Sequence, residues 1–173
     1  MSPESLHATT FSTPCGPFSV ALDPNGAVVA TAFGDVDRLR SRLPEKCHLL
    51  GDTYSATFDG IRSQVDAYFA GKRRAFSVRL APRGTAFQQR VWAALAEIPC
   101  GETRSYGQLA AQLGDRGASR AVGRANATNP VCLLIPCHRV IGADGSLTGF
   151  AFGEDIKRRL LEHEGALPAA LLA

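Results

Sequence analysis

The 173-residue chain contains no apolar run approaching the roughly 18–20 residues that a membrane-spanning helix needs. Its first residues, MSPESLHATTFSTPCG, lack the basic n-region and apolar h-region of a secretory signal, so an intracellular, cytoplasmic protein is expected. There is no CxxC pair, and the five cysteines (Cys15, Cys47, Cys100, Cys132, Cys137) are scattered and odd in number. That pattern argues against a disulfide framework and for reduced thiols. His7, Cys15, Cys47 and His48 are potential zinc donors, but their spacing matches no common finger, and no metal is expected. Internal repeats and low-complexity segments are also missing. The net charge of +3 is too small to mark a nucleic-acid binder by itself.

What is present is a composition suited to a packed core, 45% hydrophobic and 20% charged, in a length that fits one large domain or two small ones. In the first half, strand-like runs at 18–22 and 27–33 flank the turn sequence Asp23-Pro-Asn-Gly26. A short helix is predicted at 35–43. Ile61, Val65, Tyr68 and Phe69 recur at helical spacing, with Gly71 as the stop. A further strand is predicted at 76–80. The breaker cluster Ala81-Pro-Arg-Gly-Thr85 then divides the chain into domains 1–82 and 83–173.

Beyond the boundary the periodicity is helical. Phe87, Val91, Ala94, Leu95 and Ile98 form one apolar face, closed by Pro99-Cys-Gly101. Ser105-Tyr-Gly-Gln108 is a capping-box pattern opening a helix with the face Tyr106, Leu109, Ala110 and Leu113. After Gly114-Asp-Arg-Gly117 a second helix is predicted at 118–128. Two short helices joined by a glycine turn suit a helix-turn-helix, although any αα-hairpin gives a similar pattern. The neighbourhood is basic: Arg104, Arg116, Arg120, Arg124 and Arg139 stand against the single acid Asp115. Ala118, Val122 and Ala125 can pack inward, while Arg120, Gly123, Arg124 and Ala127 share another face. Read as a DNA face, this surface carries Ser119, Arg120, Gly123 and Arg124, with Arg139 joining them. Alternatively, Gly123 serves only to let two helices cross closely. The tail from Ala166 to Ala173 is expected to dock weakly or fray.

The chemistry concentrates in Asn129-Pro-Val-Cys-Leu-Leu-Ile-Pro-Cys137-His138-Arg139. An apolar run delivers a cysteine stiffened by Pro136. A thiol of ordinary pKa, about 8.5, is only a few per cent thiolate at neutral pH, so fast attack needs a base or cation nearby. The last predicted helix, 154–164, has an apolar face of Ile156, Leu160 and Leu161, with Glu164 at its edge. A buried carboxylate requires a partner, and the imidazole of His138 is a natural one. Read in isolation, however, the same helix also allows a solvated terminal glutamate.

The PCHRV core, Asn129-Pro130, Gly-Ser-Leu-Thr-Gly-Phe150 and the run Lys-Arg-Arg-Leu-Leu-Glu-His-Glu-Gly165 resemble the O6-alkylguanine-DNA alkyltransferase family. The likeness spans about 85–165 and extends more loosely over the first half. The resemblance implies an α+β protein: an N-terminal ribonuclease-H-like α/β domain and a C-terminal winged helix-turn-helix-type domain. It implies a monomer, with no cofactor, acting on double-stranded DNA that carries O6-alkylguanine, and also on O4-alkylthymine. The second helix of the motif would enter the minor groove and the target nucleotide would be flipped out.

By the same resemblance, Cys137 is the nucleophile and irreversible alkyl acceptor, His138 its water-mediated base, and Glu164 the residue orienting that base. Asn129 braces the turn, Tyr106 hydrogen-bonds guanine N3, and Arg120 fills the vacated stack. Val140, Phe150, Ala151 and Phe152 line the pocket. One departure stands out: where bacterial relatives often carry Tyr-(Ala or Gly)-Gly-Gly, this chain reads Phe150-Ala-Phe-Gly153. The rival readings are a non-enzymatic lesion sensor, which would lack the cysteine, a helix-turn-helix regulator, and a cysteine hydrolase.

Overall fold

The computed structural model describes residues 4–44, 46–51 and 54–167. It divides into two compact units. The first comprises Met1–Arg83 with Pro130–Leu134, and the second Gly84–Asn129 with Ile135–Ala173. The segment 130–134, which the sequence reading left in the second domain, is thus built into the first.

The first unit holds a four-stranded sheet of order β3-β2-β1-β4. Strands β1 (Ser5–Thr13), β2 (Gly16–Leu22) and β3 (Val28–Phe33) form an antiparallel meander, and β4 (His48–Leu50) pairs parallel to β1. The β2–β3 turn is held by Asp23, whose carboxylate accepts from the backbone N–H groups of Asn25 and Ala27. All six residues of β3 are buried, which an open edge strand would not show. Its outer edge is covered: Val28 N–H donates to Arg79 O at 2.9 Å, and Thr31 N–H donates to Pro130 O at 2.8 Å.

That sharing of one edge explains a correction. The expected strand at 76–80 does not form, because its pairing is confined to a single bridge at Val28 and Leu80. Strands β1 and β4 were not read from the sequence. The helices α1 (Val36–Arg40) and α2 (Ser55–Phe69) complete the unit. Helix α2 buries Phe58, Ile61, Val65 and Tyr68 and ends before Gly71, whose φ of 76° suits the left-handed residue past a helix end.

In the second unit, α3 (Ala86–Ala96) opens with a Thr85/Gln88 capping box and buries Val91, Trp92, Ala94 and Leu95. Helix α4 (Tyr106–Gln112) opens with the expected Ser105/Gln108 box, both halves formed. A 3-10 turn, Arg116–Ala118, capped by Asp115, leads into α5 (Ser119–Ala127). The Trp92 indole N–H donates to Ala125 O at 2.8 Å, tying α3 to α5. The short strands β5 (Arg104–Ser105) and β6 (Val140–Ile141) pair in parallel, which sets the residues after Cys137 beside the start of α4. Helix α6 (Glu154–His163) carries Glu154 and Asp155 in its first turn, favourable for the helix dipole. The expected tail lies outside the described residues beyond Leu167.

Candidate active site

Cys137 begins a 3-10 turn, Cys137–Arg139, and its side chain is buried. The approach to it is strained. Leu133 adopts a φ of 69°, the only non-glycine residue with positive φ among those described, and it is buried. Such a conformation costs about 1–3 kcal/mol and persists only where the surroundings enforce it. In the second unit, the Asn129 amide N–H donates to Ile135 O at 3.0 Å, and Cys137 N–H donates to the same carbonyl at 2.8 Å. One carbonyl therefore joins the bracing asparagine to the cysteine backbone.

His138 is fully buried, and its Nε2 lies 2.8 Å from Glu164 Oε2. Among the described residues its Nδ1 has no hydrogen-bond partner. With a carboxylate at Nε2, that nitrogen carries the proton and Nδ1 keeps its lone pair, the tautomer a base requires. Burial pushes the His138 pKa down against the opposing hydrogen bond and charge of Glu164, and the Arg139 and Lys157 charges lower it further. The imidazole is therefore neutral at neutral pH.

Glu164 serves two groups. Its Oε1 accepts from Arg139 Nε at 2.8 Å, and its Oε2 accepts from an Arg139 terminal nitrogen at 3.0 Å. Burial alone would raise the carboxyl, but the hydrogen bonds from His138 and Arg139 and the Arg139 charge outweigh it and hold the group well below the usual carboxylate range. The remaining Arg139 nitrogen donates to Ile98 O at 2.7 Å. Arg139 was expected to contact DNA; instead its guanidinium is buried with all three nitrogens engaged internally. It is the cation that keeps Glu164 ionised.

Tyr106, at the start of α4, is half-buried and donates its hydroxyl to Thr148 O at 3.1 Å. Burial raises its pKa, the Cys137 charge raises it further, and the Asn126 amide pulls it back. Gly123, expected either on the face with the arginines or at a close helix crossing, is half-buried and lies against the Tyr106 ring, where a Cβ would meet ring carbons at 3.7 and 3.8 Å. Arg120 and Arg124 are exposed, and Ser119 and Ala151 are half-buried. Val140 is buried in β6; Phe150 is buried and packs edge-on against half-buried Phe152, with ring centroids 5.6 Å apart.

Two residues of this region escaped the sequence reading. Lys157 is fully buried, its ammonium donating to Val140 O at 2.5 Å and Thr148 O at 3.3 Å. Burial pulls its pKa down to about 8, against the raising influence of Cys137 and Glu154. Its signal was available: Lys157, Leu160, Leu161 and Glu164 share one face of α6 at i, i+3, i+4 and i+7. Asn126 is buried on α5, and among the described residues neither polar atom of its amide has a hydrogen-bond partner. Among the described residues, no group of three or more His, Cys, Asp or Glu is placed to hold a metal ion, and no helix is long and apolar enough to cross a membrane.

Comparison with known proteins agrees with this geometry. Residues 6–82 match the family model described as 6-O-methylguanine DNA methyltransferase, ribonuclease-like domain, and residues 86–166 match its DNA binding domain. The methylated-DNA–protein-cysteine methyltransferase of Mycobacterium bovis is 47% identical over 161 residues, covering 92% of both chains. That of Methanosarcina acetivorans is 43% identical over 164 residues, 93% of this chain and 99% of its own. A crystal structure of Mycobacterium tuberculosis OGT in complex with DNA superposes with a TM-score of 0.81 at 46% identity, covering 91% of this chain and 92% of that one. The chain belongs to the 6-O-methylguanine DNA methyltransferase family.

Proposed function

We propose that the protein repairs DNA by direct reversal, transferring the alkyl group of O6-alkylguanine irreversibly to Cys137. The observation that carries this reading is the buried Glu164–His138 pair, which leaves Nδ1 as an acceptor one residue from the cysteine. The thiol proton passes to His138, directly or through a water, and the thiolate attacks the saturated carbon. As the S–C bond forms, the C–O6 bond breaks and its electron pair goes to the base. Tyr106 hydrogen-bonds N3 and helps protonate the leaving guanine, so the base does not depart as a bare anion. The thioether resists hydrolysis, so each molecule acts once, without a cofactor.

On DNA, α4 and α5 act as the helix-turn-helix, with α5 in the minor groove and the target nucleotide flipped into the pocket. Arg120 fills the vacated stack, and Arg124, together with Ser119 at the helix start, contacts the backbone. Asn129 holds the turn carrying Cys137. The protein works as a monomer in the cytoplasm, and O4-alkylthymine is a second substrate. The reading is tested by titrating the protein into duplex DNA containing O6-methylguanine. Repair should end at one lesion per molecule, whereas continued turnover would favour a hydrolase.

The pocket wall sets a size limit. Val140, Phe150, Ala151 and Phe152 line the site, and Phe152 puts a ring where glycine is common among bacterial relatives. Overpacking costs about 1–3 kcal/mol, equivalent to about a 5- to 150-fold slower reaction for a bulky substituent. O6-benzylguanine is therefore expected to react slowly relative to O6-methylguanine in DNA, and Phe152→Gly to recover the benzyl substrate selectively. An unchanged benzyl-to-methyl ratio in the variant would remove Phe152 from the pocket.

A further inference from the structure

Asn126 presents a physical problem that the reaction as described does not resolve. It is 2% exposed, and both Nδ2 and Oδ1 are buried with no hydrogen-bond partner among the described residues. A buried amide left unsatisfied destabilises a fold, and an apolar side chain of the same shape would not carry that cost. Its place on α5 indicates what it is for. Gly123, one turn earlier, lies against the Tyr106 ring, and residues at i and i+3 share a helix face. Asn126 therefore stands further along the same phenol, and its amide acts on that hydroxyl without completing a hydrogen bond in the resting geometry. The hydroxyl itself is closely confined. It donates to Thr148 O, and a Cβ on Gly149 would come within 2.6 Å of the phenol oxygen.

We infer that Asn126 is a positioning residue for Tyr106, donating its Nδ2–H to the phenol oxygen while the phenol proton is handed to the departing base. This rests on the role given to Tyr106 under Proposed function. When the base takes the phenol proton at N3, negative charge develops on the phenol oxygen, and Thr148 O, an acceptor, cannot stabilise it. Among the described residues, Asn126 supplies a buried donor with no competing partner. The step balances: the thiol proton rests on His138, the phenol proton goes to guanine, and the phenolate is reprotonated from solvent or the imidazolium. An amide held unsatisfied in the resting protein is thus satisfied in the transition state, where its interaction accelerates the reaction.

The test is a double-mutant cycle of Asn126→Leu and Tyr106→Phe, with single-turnover rates measured on O6-methylguanine DNA. Leucine matches the shape of asparagine and removes the unsatisfied amide, so Asn126→Leu should melt no lower than wild type yet react about tenfold more slowly. In the Tyr106→Phe background it should cause no further loss. The alkaline limb of the rate profile should also move to higher pH, because loss of a donor disfavours the phenolate. Asn126→Asp, which keeps the shape but not the donor, should be at least as slow. Asn126→Ala supplies the same comparison through a smaller side chain if leucine disturbs packing. Equal slowing in both backgrounds, or an unaltered rate, would overturn the inference. Failure of the wild-type protein to transfer the methyl group would instead overturn the proposed function.

Discussion

Cys137→Ala abolishes alkyl transfer and leaves affinity for duplex DNA close to wild type. In the proposed reaction the thiol sulfur is the nucleophile, while the basic residues assigned to DNA lie on the separate exposed positions Arg120 and Arg124. Cys132, the nearest competitor in sequence, cannot substitute. It is 1% exposed and its sulfur lies 3.2 Å from the Thr31 hydroxyl, inside the first unit. Cys137→Ser should fail equally, since a hydroxyl with an ordinary pKa gives almost no anion for attack on a saturated carbon. Single-turnover kinetics paired with a gel-shift titration checks both halves. Transfer by either variant would move the alkyl acceptor elsewhere.

Glu164→Ala should be the most damaging substitution to the fold, by about 3–5 kcal/mol, because it leaves the Arg139 guanidinium buried without its counter-charge. Glu164→Gln separates stability from catalysis. The amide keeps the shape, and its oxygen settles at the Oε2 place, where it accepts from both His138 Nε2 and the Arg139 terminal nitrogen, leaving its NH2 against Arg139 Nε. The imidazole keeps its tautomer but loses the anionic partner that stabilises the imidazolium, and transfer should slow by about tenfold to a hundredfold.

The pH dependence follows from the direction of the carboxyl shift. The folded value of Glu164 is depressed below the ordinary 4.5, so its contribution is present above that pH. It is lost as pH falls through the folded value. Wild type should therefore lose stability in acid more steeply than Glu164→Gln, as read by urea denaturation across the acid range. Parallel pH profiles would mean that the Arg139–Glu164–His138 cluster is not what holds this region.

Much of this was legible in the sequence because helices and their caps are written locally. The Ser105/Gln108 box, the α5 turn and the α6 face all follow from spacing within one or two turns. Glu164 could be read as a buried partner for His138 because it continues the apolar stripe of α6. Long-range pairing was not legible. β1, SLHATTFST, is rich in serine and threonine with no local signal of its sheet partners, and 130–134 joins the first unit through pairing with Thr31, far away in sequence. Arg139 was misread for a similar reason. A basic residue in a basic stretch looks like a phosphate contact, and only the fold brings Glu164 and Ile98 O to it. Gly123 shows the converse, since the sequence allowed both a DNA contact and a close helix crossing, and the Tyr106 ring occupies the space beside it.

Intact-mass spectrometry after incubation with O6-methylguanine duplex, followed by peptide mapping, tests the central claim most directly. The expected result is one added methyl group per chain, carried by the peptide containing Cys137, with restored guanine in the DNA. An unchanged protein mass alongside repaired DNA, or a methyl group located on Cys132 or another residue, would contradict it.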